Sequence, residues 1–162
     1  MSKANVRADG VGWVYSDIVK EHFLHPKNFL GSTQDKVDES QFDGIGEVGS
    51  PACGDLMWVY IKVDNVSGRI KDLKWQTFGC ASAIASTSVM SEMVLENGGM
   101  MIDEAQEITA MDIAKRLGGL PDKKIHCSVL GDQALKSAIA DFKEQKLKSK
   151  EKMHKDKSKN LL

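Results

Sequence analysis

Apolar and polar positions follow two rhythms along this 162-residue chain, one near helical spacing and one extended. Val14, Ile18, Val19, Phe23 and Leu24 predict a helix over 14–24, which Ser16 or Asp17 caps and Pro26 stops. The stretch 28–46 is rich in Asp, Ser, Gln and Gly and reads as an irregular surface connection. Two aromatic and β-branched runs come next, Leu56 to Val63 and Ile70 to Phe78, joined by Asp64-Asn65-Val66-Ser67-Gly68, and they predict a hairpin. A shorter strand around Ile45 to Val48 makes three antiparallel strands, with Gly44, Gly46 and Gly49 read as bends at its ends.

After Cys80 the rhythm becomes helical. Helices are predicted over 83–95, 103–108, 111–117 and about 130–146, the last carrying Leu130, Ala134, Leu135, Ala138, Ile139 and Phe142 as one core-facing stripe. A small sheet succeeded by a run of helices is an α+β fold, with a three-stranded antiparallel sheet covered by helices on one face. Met57, Met90, Met93, Met100 and Met101 fall within these patterns and read as core filling.

Composition narrows the class. With 41% hydrophobic residues the chain suits one globular domain rather than two. No apolar run reaches the roughly 18–20 residues of a membrane span. The first twelve residues lack the apolar core of a signal peptide, so a cytoplasmic protein is expected, with no membrane partner. The net charge of −1 argues against nucleic acid as a partner of the whole surface. That charge is uneven: from Lys143 onward eight lysines face three acids, which leaves the rest of the chain at −6. The tail reads as a solvated helix extension that frays.

Candidate chemistry lies in the three cysteines. Each sits among small or polar residues, in Pro51-Ala52-Cys53-Gly54-Asp55, Phe78-Gly79-Cys80-Ala81-Ser82 and Lys124-Ile125-His126-Cys127-Ser128. Three thiols do not pair off within a chain, and without a Cys-x-x-Cys pair the zinc-ribbon and thioredoxin readings lose their signature. With Asp55 and His126 they make five donors, one more than a tetrahedral metal or a two-iron cluster requires. Antiparallel pairing brings Cys53 and Cys80 to one end of the hairpin, and His126-Cys127 are expected in a loop just before the last helix. His22 and His25, at the end of the first helix, read as ordinary dipole partners, and His154 belongs to the tail.

These segments resemble the U-type iron–sulfur cluster scaffold proteins, the free-standing scaffold and the N-terminal domain of the nitrogen-fixation scaffold, with a SufE/NifU-like fold. The resemblance rests on Tyr15-Ser16-Asp17 with His25-Pro26-Lys27-Asn28, on Gly49 through Asp55, on Gln76 through Cys80 with Ala83 to Ser86, on Asp103-Glu104-Ala105, and on Leu120-Pro121 through Ser128. The resemblance runs from about Tyr15 to Phe142 and, with the composition of the two ends, gives a flexible segment over 1–14, a scaffold domain over 15–145 and a lysine-rich tail over 146–162 as the expected organisation. It also implies a scaffold and sulfur acceptor rather than a turnover enzyme, on which a [2Fe–2S] cluster is assembled and then transferred. Cys53, Cys80 and Cys127 correspond to cluster ligands, Asp55 and His126 to exchangeable donors, Cys127 to the persulfide acceptor, and Tyr15 to a contact of a transient homo-oligomer. Lys124 matches the basic residue beside the His-Cys pair. Between Asp55 and His126 the residues leave the fourth ligand open, and Asp55 is favoured as a labile anionic oxygen.

The implied partners are a cysteine desulfurase, acceptor apoproteins and an electron donor such as a ferredoxin. Fe²⁺ is the metal during assembly, and Zn²⁺ is an alternative occupant of the cluster-free form. The segment Leu120-Pro121-Asp122-Lys123-Lys124 departs from the family's Leu-Pro-Pro-Val-Lys, which speaks against release by an Hsp70-type chaperone. The runner-up is a zinc-dependent sulfurtransferase accepting sulfur from a desulfurase. His126 before the last cysteine, and the modest length between Cys80 and Cys127, disfavour it.

Overall fold

A computed structural model describes residues 16–31, 36–50, 54–119 and 125–159, with the backbone alone for 50, 125–128, 158 and 159. Its elements run α1 (Asp17–Leu24), β1 (Gly44–Ser50), β2 (Asp55–Val63), β3 (Ile70–Phe78), α2 (Ala81–Leu95), α3 (Ile102–Gln106), α4 (Ala110–Arg116) and α5 (Ile125–Lys159). The strands form one antiparallel sheet in the order β1-β2-β3. The expected α+β architecture is the one observed.

Strand alternation sets the two faces of the sheet. Met57, Val59, Ile61 and Val63 of β2 and Leu73 and Trp75 of β3 are fully buried beneath the helices. The other face carries Trp58, Tyr60, Lys62, Lys74 and Gln76, where the Tyr60 hydroxyl donates to Gln76 Oε1 at 3.0 Å and Phe42 lies against Tyr60. Trp75 anchors the segment after α1. Its indole N–H donates to the Lys27 carbonyl at 2.8 Å, and its ring meets Phe29 at 4.6 Å.

Of the glycines of β1, Gly46 lies inside the strand as a paired position, while Gly44 opens it and Gly49 stands one residue before its end. Gly44 and Gly46 pair with Ile61 and Val59, which places them on the core face. A side-chain carbon on Gly46 would lie 2.0 Å from the Ala134 carbonyl oxygen, and one on Gly44 would lie 2.3 Å from that of Ala138. Helix α5 therefore rests on strand backbone, along the stripe Leu130, Ala134, Leu135, Ala138, Ile139 and Phe142.

Helix α2 is buried on nearly all sides by small residues. The hydroxyls of Ser86, Thr87 and Ser91 donate to the carbonyls of Ser82, Ala83 and Ser88 one turn back, which lets these polar groups sit inside the core. Ser88 in turn receives the Lys27 N–H at 2.8 Å and meets His22 Nδ1 at 2.8 Å, while His22 Nε2 lies 3.5 Å from Glu92. His22 is buried and ties α1 to α2, so it is more than a dipole partner at a helix end. Ser16 caps α1 through the Val19 N–H, and its own hydroxyl donates to the Leu117 carbonyl at the end of α4.

Helix α5 departs from expectation at both ends. It begins at Ile125, so His126 and Cys127 stand in its first turn rather than in a preceding loop, and it continues to Lys159 rather than ending near 146. The apolar stripe marks the packed length, whereas the N-terminal extension Ile125-His126-Cys127-Ser128-Val129 is mixed and the C-terminal one is mostly charged. Among the described residues no helix is long and apolar enough to cross a membrane.

Candidate functional site

The hairpin brings Asp55 and Cys80 to one end of the sheet. Asp55 opens β2 on the core-facing side, and Cys80 comes one glycine after β3, because Leu56 pairs with Phe78. The carboxylate of Asp55 is buried, and its Cγ lies 3.3 Å from where a side chain on Gly79 would begin. The bare glycine thus admits the carboxylate beside the turn that leads into α2. Thr77 also borders this position, and its hydroxyl donates to the Leu56 carbonyl at 2.8 Å across the two strands.

Asp55 Oδ2 is buried and meets no hydrogen-bond donor among the described residues. A buried carboxylate oxygen without a donor is costly to leave bare. Its chemistry suits a cation, and its hard oxygen suits iron or zinc beside softer sulfur.

Cys80 is the N-cap of α2, a 15-residue helix, and its side chain does not cap the helix itself. The thiol is half-buried and stands 3.1 Å from the Ser82 hydroxyl. The unpaired N–H groups of the first helical turn favour an anion at such a position, which suits a sulfur acting as a ligand. Phe78, 67% exposed, and the half-buried Leu56 opposite it give this corner an apolar rim.

The other expected donors are placed in part. Cys53 lies outside the described residues, as do Tyr15 and Lys124. His126 and Cys127 are placed by backbone in the first turn of α5, without their side chains. Among the described residues no three His, Cys, Asp or Glu side chains converge on a metal position. Gly79 is the functional position that motif reading passed over. Its signal was a glycine fixed between an exposed strand end and a candidate ligand.

Similar proteins are found by sequence and by fold. Residues 14–149 match the family model of the NifU-like N-terminal domain. The iron-sulfur cluster assembly scaffold protein IscU 1 of Archaeoglobus fulgidus is 49% identical over 129 residues, 80% of this chain and 76% of that protein. The nitrogen fixation protein NifU of Trichormus azollae is 47% identical over 131 residues, 81% of this chain but 42% of that longer protein. The crystal structure of an N-terminal NifU-like protein from Brucella abortus shares the fold at a TM-score of 0.58 and 21% identity, covering 81% of this chain and 95% of that one. With the family model spanning most of its length and such relatives near half identity, this chain belongs to the NifU-like N-terminal domain family.

Proposed function

We propose that this protein is a scaffold on which a [2Fe–2S] cluster is assembled from ferrous iron and desulfurase-derived sulfur and then passed to acceptor apoproteins. Cys53, Cys80 and Cys127 supply thiolates, and Asp55 supplies the weak fourth donor, with His126 the exchange partner. The observation that carries this reading is the buried oxygen of Asp55, which meets no donor among the described residues, next to the Gly79-Cys80 turn. The names of the relatives support it.

Each residue has a separate task in the proposed cycle. Cys127, within the first turn of α5, accepts sulfane sulfur as a persulfide from a cysteine desulfurase. An electron donor such as a ferredoxin reduces that sulfur to sulfide, and the cluster then rests on three thiolates and one oxygen. A hard carboxylate binds iron less tenaciously than a fourth thiolate, so acceptor ligands displace it first. Loss of the cluster to a recipient starts at Asp55.

The test is anaerobic reconstitution with a cysteine desulfurase, cysteine, a reductant and Fe²⁺, then visible absorption and acid-labile sulfide analysis. Wild type should gain charge-transfer bands with iron and sulfide in equal amounts, and Cys80→Ser should lose most of them. Asp55→Ala should retain its cluster longer in the presence of an acceptor apoprotein. A wild type that stays colourless, but accelerates desulfurase turnover when loaded with Zn²⁺, would establish the sulfurtransferase reading instead.

A further inference from the structure

The part of α5 beyond Phe142 belongs to no core and to none of the chemistry above. It projects about 25 Å at 1.5 Å per residue. Every residue from Lys143 to Lys157 is exposed, including Leu147 and Met153 at 61% and 62%. Helical spacing sorts its lysines into two rows. Lys143, Lys146, Lys150 and Lys157 form one, flanked by Leu147 and Met153, and Lys148, Lys152, Lys155 and Lys159 form the other.

This arm works against itself as a lone helix. Lys146 and Lys150, Lys148 and Lys152, Lys143 and Lys146, and Lys152 and Lys155 are like charges at three- or four-residue spacing, each unfavourable. Glu144 with Lys148 at 3.1 Å, and Glu151 placed four residues before Lys155, oppose them only in part. An acidic surface laid along the arm would reverse the sign of the repulsion.

The chain carries such a surface. A groove of about 550 Å³ between α2, α3 and α4 has Met93, Met100 and Ile108 as apolar lining, Glu104, Glu107 and Asp112 as acids, and Lys115 and Arg116 as bases. Arg116 at its edge is already paired with Glu96. The first lysine of the arm shows the pairing on a small scale, since Lys143 Nζ lies 3.4 Å from Asp103 Oδ1 and donates to Gln106 Oε1 at 3.0 Å on α3. Lys146 still lies over the Phe142 ring at 5.7 Å, and the helix continues to Lys159.

We propose that the lysine arm of one copy docks in the acidic α3–α4 groove of a second copy. The arm carries +5, while Glu104, Glu107 and Asp112 of the groove, with Asp103 on the same helix, face Lys115 alone because Arg116 is held by Glu96, and Leu147 and Met153 match the methionine-lined floor. A phosphate polyanion fits less well, because the acidic body attached to the arm would be repelled by it. This surface is separate from the cysteines and does not depend on the proposed cluster chemistry.

Sedimentation velocity of the full chain decides the matter. At about 20 mM salt the average mass should rise toward that of two copies with increasing protein concentration, and the dissociation constant should weaken at least about tenfold by about 0.3 M salt. Lys146→Glu with Lys150→Glu and Lys157→Glu should remain monomeric, and so should Asp103→Lys with Glu107→Lys. Mixing the two variants should restore association. Circular dichroism checks that both stay folded, as expected for changes at exposed positions. Three outcomes would overturn the proposal: a wild type that stays monomeric at low salt, association indifferent to the α3 reversals, or a monomer whose arm instead binds duplex DNA or anionic vesicles.

Discussion

The two halves of α5 share one backbone and almost nothing else. Up to Phe142 the helix is held by buried Leu130, Leu135 and Ile139 and by strand backbone at Gly44 and Gly46. From Lys143 every residue to Lys157 is exposed, and the contacts with the body are polar ones near its start, such as Lys143 with Asp103 and Gln106. The first half shows tertiary packing overriding local sequence. The second shows a helix whose persistence rests on propensity alone, because lysine is a good helix former even where like charges repel. That contrast also separates the two halves in content, since the first begins with the turn that bears His126 and Cys127 and the second carries lysines with Leu147 and Met153 among them.

The contrast makes graded predictions. Ile139→Ala, which empties a fully buried position, should cost about 3–4 kcal/mol in urea unfolding. Gly46→Ala should cost about 3 kcal/mol by forcing α5 off β1, and it should also impair cluster reconstitution, because the helix bearing Cys127 moves with it. An equal loss of stability with intact reconstitution would break the link between β1 and the site. Ending the chain after Gln145 should change the unfolding free energy by less than about 0.5 kcal/mol, and a larger loss would mean that the arm contributes to the fold. The smallest effect is expected from Lys150→Gln, which removes one like-charge pair. Arm helicity measured by circular dichroism at low salt should rise by an amount equivalent to about 0.2–0.5 kcal/mol, and the gain should vanish at high salt.

Much of this was legible in the order of residues, for identifiable reasons. The hairpin was marked by two long β-branched and aromatic runs either side of a Ser-Gly turn, and its pairing put the entry to β2 beside the exit from β3. The stripe from Leu130 to Phe142 gave the packed length of α5. Three features were not legible. The start of α5 at Ile125 lies in a short mixed segment, Ile125-His126-Cys127-Ser128-Val129, directly after the Pro121-Asp122-Lys123-Lys124 stretch, and its helix is continuous with the packed turns that begin near Leu130. The glycines of β1 looked like bends because a strand position that must be empty resembles a turn until the helix above it is known. His22 looked peripheral because its partners, Ser88 and Glu92, lie far along the chain.

The hydroxyl-lined helix α2 has a consequence for Cys80. Apolar contacts resist separation but let a smooth cylinder spin, whereas the hydrogen bonds that Ser88 accepts from the Lys27 N–H, and that Ser91 accepts from Asn28 Nδ2 and donates to the Lys27 carbonyl, fix the azimuth of α2. The thiol at the head of that cylinder is aimed by the same bonds. Replacing Ser88 and Ser91 with alanine would preserve most of the volume and release the angle, an error of bearing rather than of distance. A ligand aimed from a helix cap tolerates that error poorly, so hydroxyls two to three turns from the sulfur set where it points.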